Sequence, residues 1–238
     1  MADAIRTQRS GEILEITLAR ADAGNRLSNA MAAAIASALD AVGDARLVLL
    51  RAEGADFCLG RDMEPPPPGA RVNAMDVLRD DAAPIVALYE ALRRLRQPLI
   101  ARVQGRAWGI GLVLAAVADY TLAAEDASFR LRELERGIPP AIAMASLFDR
   151  VPAKAIGALV YSAEEQSARW ALATGIASKL VPTQQLDAEL QALATRLLGF
   201  PRPALEAVKQ YLCTAPRGNE PAAVLYGASL LANVLGSR

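Results

Sequence analysis

The sequence predicts an α/β fold in which strand-strand-helix units repeat and a C-terminal helical extension follows. Two short apolar runs, Leu47-Val48-Leu49-Leu50 and Leu99 to Val103, have the length of strands buried on both faces. Segments with apolar residues at helical spacing alternate with them, and from Leu186 onward helical patterns follow one another with no strand between. Alternation of this kind, ending in helices alone, argues for a core over residues 1–185 and a helical region over 186–238, rather than two independent domains.

Ile5 to Arg9 and Ile13 to Leu18, divided by Ser10-Gly11, read as an opening hairpin. Ser28 or Asn29 caps an alanine-rich helix that runs to about Val42, and the strand at Leu47 follows. Gly54 to Asp62 is rich in turn residues. Pro65-Pro66-Pro67-Pro68-Gly69 continues neither a helix nor a central strand, so a stiff exposed loop bordering a pocket is expected there. Ala83 to Arg96 places Ile85, Val86, Leu88, Leu92 and Leu95 at helical spacing and ends before Pro98. After the strand at Leu99, Leu112 to Val117 reads as a short core helix and Tyr120 to Ala123 as a strand. Ile142 to Phe148, Ala153 to Val160 and Ala163 to Thr174 are helical, the last stopping at Gly175, and Ile176 to Val181 is a final strand.

With 238 residues, 53% of them hydrophobic, the chain has ample material for a continuous core. Lysine plus arginine equals aspartate plus glutamate at 26 each, which gives no electrostatic reason to expect a nucleic acid or an acidic membrane surface as partner. Cys58 and Cys213 are too few for a disulfide framework, and without histidine they make no zinc site; a reducing, cytoplasmic setting is expected. Met1 to Arg6 has no basic stretch followed by a long apolar one, so neither a signal peptide nor a membrane span is expected. The absence of histidine has a chemical consequence. Any proton shuttle near neutral pH must use a carboxylate, lysine, tyrosine or cysteine.

The region from Pro98 to Pro140 carries the chemistry. A strand is followed by Gly105, Gly109 and Gly111, then by a buried helix ending near Asp119, and then by Glu133, four residues before Gly137. This is the layout of a site that polarises a carbonyl and moves a proton. The glycine spacing reverses that of G-x-G-x-x-G, which argues against a nicotinamide dinucleotide. Gly54-Ala55-Asp56-Phe57-Cys58-Leu59-Gly60-Arg61-Asp62 resembles the first signature loop of the crotonase, or enoyl-CoA hydratase/isomerase, superfamily. Pro98 to Gly111 resembles its second. Leu18-Ala19-Arg20 with Asn25 is similar to that family's adenine-side loop, and Ala171 to Pro182 to its closing strand segment. The four motifs occur in family order.

The resemblance implies a spiral of strand-strand-helix turns that binds acyl-coenzyme A thioesters and assembles as trimers or hexamers. It implies that the backbone N–H groups of Arg61 and Ile110 stabilise a thioester enolate, an interaction in which each donor typically contributes about 2.7–4 kcal/mol. The chain departs from the pattern at both places, since a small residue is common at the first and glycine is usual at the second. Any residue but proline supplies the N–H. Hydratases of the family place a second glutamate three residues after the second donor, where this chain has Val113; their other glutamate corresponds to Glu133. A valine neither activates nor orients water. A single carboxylate suffices to carry a proton from the α-carbon to the γ-carbon of a 3-enoyl thioester, the Δ3,Δ2-enoyl-CoA isomerase pattern. Ala141 stands where some relatives have an aspartate nucleophile or base, which argues against a covalent route.

Arg130, Arg132 and Arg136 surround Glu133 in sequence, so an exposed salt bridge is the competing explanation of that residue. Glu135 is a second carboxylate, expected to face solvent. Asp62 and Asp119 read as structural, Cys58 as packing, and Trp108 and Tyr161 as aromatic candidates for an acyl-pocket wall. For the coenzyme, which enters as part of the substrate and not as a covalently bound cofactor, the resemblance points to Arg20, Asp56, Phe57 and Lys209. Pro221 to Leu235 is apolar at helical spacing and is expected to pack on a neighbouring subunit. Three readings stay open: an isomerase using Glu133 alone; a hydratase, lyase or decarboxylase with a displaced polar partner facing Glu133; and a silent homologue whose pocket is filled by Ile110 or Arg61.

Overall fold

Each turn of the chain gives one strand to a large sheet and, for most turns, a second short one to a small sheet set beside it. The computed structural model describes residues 4–63, 73–214 and 220–236. Strands β1 (Ile5–Ser10) and β2 (Ile13–Leu18) form an antiparallel hairpin, and α1 (Asn29–Asp40) and β3 (Leu47–Ala52) follow. Helices α2 (Ala74–Asp76) and α3 (Ala83–Arg94) are joined by a π-helical stretch, Val77–Ala82. Next come β4 (Leu99–Val103), β5 (Arg106–Trp108), α4 (Ile110–Val117), β6 (Tyr120–Ala124) and β7 (Ser128–Arg130). Helices α5 (Ala141–Leu147) and α6 (Ala153–Ser162), strand β8 (Gln166–Ser167), α7 (Ala168–Thr174) and β9 (Lys179–Val181) complete the spiral. The chain then runs through α8 (Leu186–Leu198), α9 (Arg202–Thr214) and α10 (Glu220–Gly236).

The large sheet has the order β1-β2-β3-β4-β6-β9, parallel except for the opening hairpin. Both faces of its centre are covered, which is why Leu47 to Leu50 and all of β4 are buried without alternation. Ser28 starts α1 by accepting the Met31 N–H at 3.2 Å, and Met31, Ala32, Ile35 and Leu39 form the buried stripe of that helix. The small sheet, β5-β7-β8, is extended by single-residue bridges from Cys58 to Ala107 and from Leu27 to Arg61. Those bridges bring the two glycine-bearing loops side by side.

The expected α/β spiral with a helical C-terminal region is the observed one. Three local expectations are corrected. Ala163 to Ser167 is not helical: Ala163 adopts φ 51°, which ends α6, and β8 precedes α7, whose cap is Ser167 accepting from the Trp170 N–H at 3.2 Å. The final strand is Lys179–Val181 only, because Ile176 and Ala177 fold back on Ala171 through their N–H groups. The helix ending at Arg94 starts earlier than Ala83, through α2 and the π-helical stretch. The proline run at Pro65 to Pro68 lies outside the described residues. No described helix is long and apolar enough to cross a membrane.

Candidate active site

The two loops that carry the expected amide donors lie side by side. Leu27 donates its N–H to the Gly60 carbonyl at 2.9 Å and accepts the Asp62 N–H at 3.0 Å, which turns the intervening Arg61 N–H away from that bridge. Across from it, Trp108 donates to the Cys58 carbonyl at 2.9 Å and Gly109 to the Arg130 carbonyl at 2.8 Å, so that α4 begins at Ile110 with its first amide unpaired. Neither Arg61 nor Ile110 donates its backbone N–H to any acceptor among the described residues. An eight-residue helix whose first seven residues are buried adds its positive end to the Ile110 amide.

Close approach requires glycine at two positions. Gly109 has φ 54°, and a Cβ there would lie 3.2 Å from the Gly60 Cα and 3.4 Å from Glu133 Oε1. The residues before both donors therefore touch, and the Glu133 carboxylate borders the same point. A Cβ on Gly111 would lie 2.4 Å from the Cys58 carbonyl oxygen. Gly111→Ala is expected to force α4 off the first loop at an overpacking cost of about 1–3 kcal/mol. For a chain of this size that corresponds to a melting temperature lowered by about 2–12 °C, with acyl-thioester affinity falling in parallel; a variant that melts and binds as wild type would contradict this close contact.

Glu133 opens a 3-10 turn, Glu133–Arg136, and has no ion-pair partner among the described residues. Its Oε2 is buried without a hydrogen-bond partner. Burial raises its pKa above the ordinary carboxylate value, against a weaker opposing pull from the main-chain N–H groups of Glu133 and Arg132 and from the Arg136 and Arg132 guanidinium groups. The competing salt-bridge explanation falls to the neighbouring carboxylate. Glu135 takes Arg130 at 2.5 Å and Arg132 at 3.4 Å. Val113, facing inward from α4, is 0% exposed.

The Arg61 side chain is tied to the first residue of α1 and to the segment before α3. Its Nη2 donates to Asn29 Oδ1 at 2.7 Å and its Nη1 to the Asp81 carbonyl at 3.2 Å, while Asn29 Nδ2 donates to the Asp80 carbonyl at 2.7 Å. The loop at Gly60 and Arg61 thus grips, directly and through Asn29, the π-helical stretch that leads into α3. Cys58 is fully buried, its thiol pKa pushed up by desolvation to about 11, so it stays protonated and packs.

The coenzyme candidates are scattered, and two of them are buried. Arg20 pairs with Asp62, beside the first donor. Asp56 is held by Arg106 through two side-chain bonds at 2.8 and 2.7 Å, which keep its carboxyl below the usual range. The Phe57 ring is buried in the core, which leaves only its main chain for a ligand. Lys209 is 3% exposed, its ammonium bonded to Asp119 at 2.5 Å, so it is not a surface cation for phosphates. The aromatic candidates also move. Trp108 lies between the Arg106 and Arg130 guanidinium groups at 5.3 and 5.6 Å, and Tyr161 is 85% exposed.

One residue of the site escaped the sequence reading. Tyr89, on the buried face of α3 with Ile85, Leu88 and Leu92, is 7% exposed, and burial raises the pKa of its phenol, with smaller contributions from Arg61, Glu133 and Cys58. The signal available was a hydroxyl on an otherwise apolar helical face.

The enoyl-CoA hydratase/isomerase family model matches residues 8–235. The chain belongs to that family. A probable enoyl-CoA hydratase of Mycobacterium bovis is 31% identical over 220 residues, 84% of this chain and 73% of the relative. A carnitinyl-CoA dehydratase of Salmonella typhi is 30% identical over 215 residues, 88% and 80% of the two chains. The crystal structure of an enoyl-CoA hydratase from Mycobacterium smegmatis superposes with a TM-score of 0.89 at 27% identity, covering 98% of this chain and 91% of that one. A Thermobifida fusca structure described as "a putative enoyl-CoA hydratase" in complex with CoA gives 0.87 at 25% identity, covering 98% and 93%. The fold is that of the crotonases, and the chain is an acyl-CoA enzyme of the enoyl-CoA hydratase/isomerase family.

Proposed function

We propose that this family member moves a proton within an acyl-CoA thioester, with Glu133 as its sole carboxylate acid/base and the Arg61 and Ile110 amides as the oxyanion hole. The observation that carries the reading is the buried, unpartnered Glu133 Oε2 beside the Gly60–Gly109 contact, with a valine in the place of a second carboxylate. Glu133 takes a proton from the α-carbon of a 3-enoyl thioester. The negative charge gathers on the thioester oxygen, where two fixed N–H groups stabilise it in a water-poor cleft. The same carboxyl returns the proton to the γ-carbon, and the double bond ends in conjugation.

A second reading, hydration or elimination with a displaced polar partner, is favoured by the hydratase and dehydratase names of the relatives. Incubation with 3-enoyl-CoA and with 2-enoyl-CoA separates the two. The isomerase reading expects growth of conjugated-thioester absorbance from the first and a stable signal from the second. Loss of absorbance from the second without gain from the first would replace it with hydration. The apolar side chains exposed on α10, among them Val224, Leu225 and Leu231, fit the expected contact with further copies of this chain in a trimer or hexamer.

A further inference from the structure

We propose that Glu135 is a positioning residue for the base: by holding the Arg130 and Arg132 guanidinium groups it keeps both off the Glu133 carboxylate, which stays unpaired and able to take a proton. The inference rests on the reading of Glu133 as the acid/base and adds the residue that keeps it free.

Arg130, Arg132 and Arg136 surround Glu133 in sequence, yet its Oε2 is buried without a hydrogen bond. Glu135, two residues on in the same 3-10 turn, has the opposite fate. Its Oε1 accepts from Arg130 Nη2 at 2.5 Å, and its Oε2 stands 3.4 Å from Arg132 Nε. Arg130 is fastened twice more, by donating from Nε to the Ala163 carbonyl at 2.6 Å and by lying 5.6 Å from the Trp108 ring. Arg132 has no such anchors. Its Nε makes no hydrogen bond, and Glu135 is its only ion-pair partner among the described residues. Without Glu135, Arg132 is therefore the cation set loose, and the carboxylate next to it in the chain is Glu133. A guanidinium paired with a carboxylate lowers its pKa by about 1–3 units and so weakens it as a base. Burial now does the reverse at Glu133, with Arg132 and Arg136 opposing the rise electrostatically. The other ionisable groups around the cleft do not take this part. Tyr89 on α3 and Cys58 on the first loop have pKa values raised by desolvation and stay neutral. The Arg61 guanidinium is bonded to Asn29 and to the Asp81 carbonyl. Lys154 and Tyr161, on the α6 helix that packs against the turn, are exposed, as is Arg136, and α4 has no ionisable side chain.

The test is the pH profile of kcat/KM with the enoyl-CoA ester that wild type turns over, measured for Glu135→Gln, for Glu135→Gln combined with Arg132→Gln, and for Glu133→Gln. The base must be ionised, so a lowered Glu133 pKa shows as an acid limb displaced toward lower pH. Glu135→Gln is expected to displace it by about one unit and to lower the plateau by about three- to tenfold, because a weaker base transfers the proton more slowly. Removing the Arg132 charge from the same protein is expected to return the limb and the plateau to near wild type. Glu135 is 40% exposed on its side chain, and pairs of that kind contribute little to stability. The single variant is therefore expected to melt within about 4 °C of wild type. A Glu135→Gln profile that overlays wild type overturns the proposal. So does a loss of rate that the Arg132 substitution fails to restore, since a merely structural link is not repaired by deleting an arginine. Glu133→Gln separates these outcomes from failure of the base assignment. If it keeps its turnover, that assignment falls and the role of Glu135 with it; if it loses turnover while Glu135→Gln matches wild type, only the role of Glu135 falls.

Discussion

Glu133→Gln is expected to lower turnover of a 3-enoyl-CoA by about 10²–10⁴-fold while leaving acyl-CoA affinity close to wild type. Glutamine keeps the volume and one oxygen but cannot take the α-proton, so the loss falls on the chemical step. The pH profile of wild type supplies a second check. The base must be ionised, and burial holds its pKa above the ordinary value, so the acid limb of the rate should fall at a higher pH than a free glutamate would give. Stability moves the opposite way from activity. A carboxyl whose folded pKa is raised favours the native state fully below the unfolded pKa, and that contribution is lost as pH rises through the folded value. At neutral pH the ionised, desolvated carboxylate therefore disfavours folding, and Glu133→Gln should melt at or above the wild-type temperature, with the difference shrinking on acidification. A variant that keeps its turnover, or that loses it only by unfolding, would remove Glu133 from the chemistry.

The legible parts of the fold were those with a local physical signature. Leu47 to Leu50 and Leu99 to Val103 could be read as buried strands because an uninterrupted apolar run of that length has few other uses. Glu133 could be located by its place after the buried helix and four residues before Gly137. Strands β5, β7 and β8 have two or three residues each, too few to show a period of two, and they exist only through pairing with distant partners. Ala163 looked helical because alanine favours helices, yet its left-handed conformation is imposed by the turn into β8. Tyr89 was readable as a buried helical position, while the identity of what it faces came from chain elements more than 25 residues away on either side. The charge on Lys209 suggested solvent, and only tertiary structure shows it inside.

Lys209 carries the second large effect. It lies on α9, and Asp119, at the end of α4, accepts both its ammonium at 2.5 Å and the Leu99 N–H at 2.8 Å. The pair fastens the C-terminal helices to the edge of the spiral where β4 and β6 begin. Lys209→Ala would leave Asp119 buried, with Arg150 at 3.8 Å as its remaining ionic neighbour and one oxygen, Oδ1, without a hydrogen bond. Removing one member of such a pair typically costs about 3–5 kcal/mol; the Leu99 N–H and Arg150 offset part of it, which puts the expectation near the lower bound. A melting temperature about 6–12 °C lower follows for a chain of this length. The double variant Lys209→Met with Asp119→Asn should recover part of that loss, because it removes both desolvated charges while the amide oxygen still accepts the Leu99 N–H. The paired measurement also separates structure from coenzyme binding: at a temperature where both proteins are folded, the affinity of Lys209→Ala for free CoA should match wild type. A large drop in CoA affinity with unchanged melting would return Lys209 to the phosphate site and take it out of the framework.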